Sequence, residues 1–141
     1  MKLTFRSLAI LAALLFFCLA FVWMFAPNLL LSDWGVELTS SVAIIGRRAS
    51  ALYAGIAVMF FAARNAEPSP ARSALSKGFM VACLMLAVLG VFELTAGHVK
   101  PAILIAVAIE IAFTLGFLYV GYAVPAHSGV QGMTSLQRKK R

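Results

Sequence analysis

The stretch Gly46-Arg47-Arg48-Ala49-Ser50-Ala51-Leu52-Tyr53-Ala54-Gly55-Ile56-Ala57-Val58-Met59-Phe60-Phe61-Ala62-Ala63-Arg64-Asn65 decides how this chain is arranged. Two adjacent arginines lead an apolar run too short to cross a bilayer by itself, because about 20 residues rising about 1.5 Å each are required. A crossing helix therefore has to begin upstream, near Val42 or Ala43, and run to Ala63. That start carries Arg47 and Arg48 more than a turn inside the helix, where a charge needs lipid headgroups, water or a carboxylate partner. Glu93 and Glu110, later in the chain, are the candidate partners.

Composition places the remainder in the same setting. Of 141 residues, 62% are hydrophobic and only 12% charged, with a mean hydropathy of +0.96, which predicts an integral membrane protein. The apolar residues fall into four blocks, predicting an all-α four-transmembrane-helix bundle with helices at about 8–26, 42–63, 75–96 and 102–124. These fill a single domain over 1–141 and leave a basic tail at 127–141. The net charge of +7 resides mostly at block ends and in the tail, so it reads as membrane orientation and not as nucleic-acid binding.

Met1 to Ser7 is a short basic leader before the uncharged run Leu8–Ala26. That run is longer than the apolar core of a signal peptide and lacks a clear small-residue cleavage site, which favours a retained first helix anchored by Trp23. Between the first two spans, Asn28 to Leu38 mixes leucines and Trp34 with Asp33 and Glu37. It fits either a short amphipathic element lying on the membrane surface or a loop whose apolar residues dip into the headgroups. Thr39-Ser40-Ser41 can cap the second span. Ala66 to Ser76, with its two prolines, reads as a polar hairpin, and Gly97-His98-Val99-Lys100-Pro101 as a tight turn. Tyr119 and Tyr122 mark the far interface of the last span.

Charge counting orients the bundle. Lys2, Arg6, Arg64, Arg72, Lys77, Arg138, Lys139, Lys140 and Arg141 fall on one side, and Arg47, Arg48 and Lys100 on the other. The excess predicts that both termini face the cytoplasm. Arg138, Lys139, Lys140 and Arg141 are candidates for contact with anionic lipid headgroups, or serve only as a topology signal.

Depth along each span then brings charges together. Arg47 and Arg48 on the second helix and Glu93 on the third fall at similar depth, with Glu110 about 12 Å down the fourth helix, within reach of a long guanidinium side chain. The expected site is a polar cluster of Arg47, Arg48, Glu93 and Glu110 with His98 at its mouth. It either binds a lipid-like or quinone-like headgroup or carries protons, or else fixes helix register as an internal ion-pair set. Two runs of small residues, Ala51 with Gly55 and Ala108 with Ala112 and Gly116, are candidate helix-packing faces.

Other chemistry is absent from the sequence pattern. No metal-ligand spacing, nucleophile–base pair or phosphate-binding glycine loop occurs, so no catalytic residue, metal or cofactor is indicated. Cys18 and Cys83 belong to no C-x-x-C pair and read as small packing residues.

The pattern Arg47/Arg48, Tyr53-Ala54-Gly55 and Ala63-Arg64-Asn65, with Glu110 on the fourth helix, resembles small four-helix bacterial membrane proteins, broadly the DoxX-like group. The resemblance implies a four-helix bundle in a bacterial inner membrane, in some members tied to quinone or thiol redox systems. This chain lacks the paired cysteines of a thiol system. Three functions remain: an accessory or structural protein associating with a membrane partner or another copy through its small-residue faces, a binder of a lipid-like or quinone-like molecule, and a small proton-coupled carrier using Glu110. In size and helix count the chain is similar to small multidrug transporters, but those carry their key glutamate in the first helix, which here has no charge.

Overall fold

The computed structural model describes residues 3–123, and every described element is helical. In chain order these are α1 (Phe5–Phe25), α2 (Asn28–Trp34), α3 (Ser40–Ala63), α4 (Pro70–Thr95) and α5 (Ile103–Ala123). Four of them, all but the seven-residue α2, are long and apolar enough to cross a membrane. Their outward surfaces agree with that use. Large apolar side chains such as Leu14, Phe17, Leu52, Met85 and Ile105 stand exposed along every long helix, a distribution suited to lipid and not to water.

Hydrogen-bonding side chains set the helix starts. Thr4 accepts from the Ser7 N–H ahead of α1, and Thr39 accepts from the Val42 N–H ahead of α3. Ser69 accepts from the Arg72 N–H at 3.2 Å, with Pro70 in the first turn, where a missing donor costs nothing. This cap starts α4 five residues before the expected start at 75, so the residues from Pro70 to Ser76 are helix and not hairpin. Between the first two spans, Asn28–Trp34 forms the short helix α2. α2 closes at Gly35, whose φ of 76° allows the Val36 N–H to bond Leu31 O at 2.8 Å.

α1 packs along α3, and α4 packs along α5; the close approach between these two hairpins is α1 on α5. α3 comes as near to neither α4 nor α5. In lipid, water is not there to drive apolar groups together, so close packing has to come from shape. The buried face of α1 accordingly combines small side chains, Ala9, Ala12, Ala13 and Ala20, with the larger Phe5, Leu8 and Phe16. Gly116 of α5 lies under Leu8 of α1, where an added Cβ would come within 3.1 Å of a Leu8 methyl.

Aromatic rings fill the wider space between hairpins. Phe79 of α4 meets Phe16 of α1 at 5.4 Å, Phe60 of α3 at 4.6 Å and Phe117 of α5 at 5.4 Å between ring centroids. Edge-to-face geometry dominates these pairs, as the ring quadrupoles favour.

Each end of the bundle is tied separately. At one end the Lys100 N–H donates to Trp34 O at 2.8 Å, joining the α4–α5 turn to α2. Trp23 packs on Trp34 with ring centroids 6.2 Å apart. At the other end the Arg72 guanidinium lies 4.0 Å over the Phe5 ring, joining the starts of α4 and α1.

Candidate functional site

Glu110 sits at the eighth position of α5 and shares the inward face with Val107, Phe113 and Phe117, all buried at the 3.6-residue period. One carboxylate oxygen, Oε2, is buried and has no hydrogen-bond partner among the described residues. Two further polar groups lie within electrostatic range of this carboxylate, the hydroxyl of Tyr53 on α3 and the thiol of Cys83 on α4. Cys83 is 3% exposed, and the Tyr53 ring packs edge-on against Phe16 at 5.6 Å.

The arginines stand elsewhere. Arg47 and Arg48 are exposed, on the side of α3 away from its buried Gly46, Ser50, Ala57 and Phe60. The Arg47 Nε donates to Ala43 O at 3.3 Å, four residues back, so its side chain runs toward the start of α3 as a snorkelling arginine does. Neither lies within contact distance of the Glu93 or Glu110 carboxylate; among the described residues the one basic side chain at such a distance from an acid is His98, whose Nδ1 is 2.7 Å from Glu93 Oε2. The backbone explains that pair. Gly97 takes a φ of 77°, and the His98 N–H returns to Glu93 O at 3.0 Å, which folds the imidazole onto the last turn of α4.

The expected cluster is therefore distributed over three places: two arginines on the outer face of α3, a surface Glu93–His98 pair, and Glu110 inside. The small residues divide in a similar way. Gly116 lies at the α1–α5 contact, whereas Ala51, Gly55, Ala108 and Ala112 face outward. A Cβ placed on Gly55 would meet nothing within 4 Å. Arg138, Lys139, Lys140 and Arg141 lie outside the described residues, as does the remainder of the tail.

No three His, Cys, Asp or Glu side chains among the described residues come together in a way that could hold a metal ion. The sequence reading passed over Tyr53 and Cys83 as site residues. The signal available was their position near the middle of α3 and α4, at the level of Glu110.

No protein-family model, curated protein or solved structure matches this chain.

Proposed function

We propose that this chain is a small multi-pass protein of a bacterial inner membrane, with both termini in the cytoplasm, that serves as an accessory subunit by docking one membrane helix of a partner protein against α3. One observation carries this reading: Arg48, Ala51 and Gly55 lie on a single outward stripe of α3, and Arg48 has no carboxylate at contact distance among the described residues. Small side chains let a foreign helix come close, and an arginine inside a span is stabilised by an acid at the same depth. The partner helix accordingly carries an Asp or Glu. A second copy of this chain does not supply it, because a two-fold pair would set Arg48 against Arg48. The charge asymmetry between the two ends supports the orientation, and the resemblance to DoxX-like proteins supports the inner membrane.

A photoreactive residue at Leu52, which flanks the stripe and is 71% exposed, tests this in intact membranes. The expected product is one discrete protein adduct whose partner peptide is a span containing Asp or Glu. It is expected to be abolished by Gly55→Leu and reduced about fivefold by Arg48→Gln, the effect of roughly 1 kcal/mol of interhelical contact. An adduct of twice this chain's mass, or adducts to lipid only, would overturn the reading.

A second reading, small-molecule binding, is supported by the unsatisfied Oε2 of Glu110. In that form it involves neither arginine.

A further inference from the structure

We infer that Arg64 and Arg72, with Arg6 beside them at the end of the bundle opposite α2, hold the phosphate of an anionic glycerophospholipid whose acyl chain lies along Phe61 and Val58 of α3. Contacts from three helices bring these arginines to one place. Arg64 ends α3, where its Nη1 donates to Phe61 O and its guanidinium lies 3.9 Å over the Phe61 ring. Arg72, in the first turn of α4, donates from its own Nη1 to Ala66 O at 3.1 Å. Ala66 is two residues past Arg64, a separation of at most about 7 Å along the chain. The same Arg72 guanidinium covers the ring of Phe5, the residue before Arg6 in the first turn of α1.

Both guanidiniums are thus oriented by neutral groups, a carbonyl and a phenyl ring each, and not by an acid. Of the five acidic residues only Glu67 belongs to this end, and it lies at contact distance from none of the three arginines. Positive charges gathered in this way repel one another, and an anion between them relieves the repulsion. A guanidinium has five N–H donors in a planar fork that matches a phosphate, and Arg64 and Arg72 each spend one of theirs on a carbonyl. The remaining donors are available to phosphate oxygens.

The surroundings select a lipid over free phosphate. Phe61 is 56% exposed and Val58, three residues before it on the same side of α3, is 68% exposed. The Phe61 ring therefore touches the Arg64 guanidinium above and belongs to the lipid-facing surface below, so the charged end and an apolar track are continuous. A molecule with a phosphate joined to acyl chains uses both parts, whereas inorganic phosphate uses the first alone. A zwitterionic headgroup brings an ammonium toward the same arginines, and a net negative one does not.

The test is native mass spectrometry of the full chain in mild detergent, titrated with phosphatidylglycerol or with phosphatidylcholine of the same acyl chains. The first phosphatidylglycerol is expected to bind at least about fivefold more tightly than phosphatidylcholine, and Arg64→Gln to weaken it about fivefold, the effect of one basic residue near an anionic lipid surface. Arg72→Gln should do the same, but it also removes the contact with Phe5 of α1, so Arg64→Gln, whose contacts stay within its own helical turn, decides the matter. Arg64→Lys, which keeps the charge and loses the fork, is expected to fall between. Arg47→Gln, the same change of charge at the other end of α3, should leave binding as it was. Equal affinity for the two lipids, an undiminished affinity in Arg64→Gln, an equal loss in Arg47→Gln, or displacement of the lipid by inorganic phosphate would each overturn the assignment. The site shares no residue with the Arg48, Ala51 and Gly55 stripe, so it and the α3 docking face stand or fall separately.

Discussion

Phe79→Ala is expected to destabilise the bundle by on the order of 2–3 kcal/mol, read as a shift in the midpoint of unfolding when mild detergent is titrated with dodecyl sulfate. The ring is 6% exposed and touches rings from each of the other three long helices. Its removal does not expose apolar surface to water, because the unfolded helices remain in detergent or lipid. The transfer contribution familiar from soluble cores is therefore small, and the cost comes from the vacancy left among Phe16, Phe60, Phe113 and Phe117. At about 24 cal/mol per Å³ of residual cavity, a void of roughly 100 Å³ gives the value stated. Far-ultraviolet helicity before the transition should be unchanged, since α1 with α3 and α4 with α5 keep their own contacts. A loss below about 1 kcal/mol would mean that the helices close over the vacancy and that the rings do not hold the hairpins apart.

The second large effect is expected at Gly46→Ala. A Cβ at this position falls 2.6 Å from Trp23 Cε3 and 2.9 Å from Cζ3, so the indole has to move. Trp23 in turn rests on Trp34 of α2, and the Trp34 carbonyl receives the Lys100 N–H. Displacing one ring thus loosens the whole end of the bundle where α2 lies. Overpacking of this kind costs about 1–3 kcal/mol. These two tryptophans are the only ones in the chain, so intrinsic fluorescence reports the contact directly. A shifted emission maximum with a lowered unfolding midpoint is expected, and an unaltered spectrum would show that the indole has room to yield.

The spans were legible in the sequence because length and hydropathy are properties of the chain alone. Their ends were legible where a capping residue was recognised, as at Thr39, and were misplaced where one was not, as at Ser69 before Pro70. The site was harder to read for a geometric reason. Counting residues along a helix gives depth, and on depth alone Arg47, Arg48 and Glu93 fall at a similar level, with Glu110 somewhat deeper but within reach. Whether two side chains meet also depends on the rotation of each helix about its axis, which is set by packing against neighbours. Arg48 and Gly55 face away from the core while Tyr53, between them in sequence, faces toward it. Nothing in the spacing of charges reveals that rotation. The small residues that reveal it, Ala9, Ala12 and Ala13 on α1 and Ser50 and Ala57 on α3, are too common in membrane helices to stand out before the contacts are known.

The pairing of α1 with α3 and of α4 with α5 also bears on how the protein is made. A ribosome delivers the chain from its N-terminus at about 5–20 residues per second, so α1 and α3 enter the bilayer seconds before α5 exists. Their mutual contact needs nothing synthesised later, and the partner of α4 is the next helix to emerge. Each half of the bundle can therefore settle as a closed pair as it leaves the insertion machinery, and the final step is the meeting of two finished halves around Phe79 and along α1 and α5. Assembly in this order never leaves a long helix waiting for a distant mate.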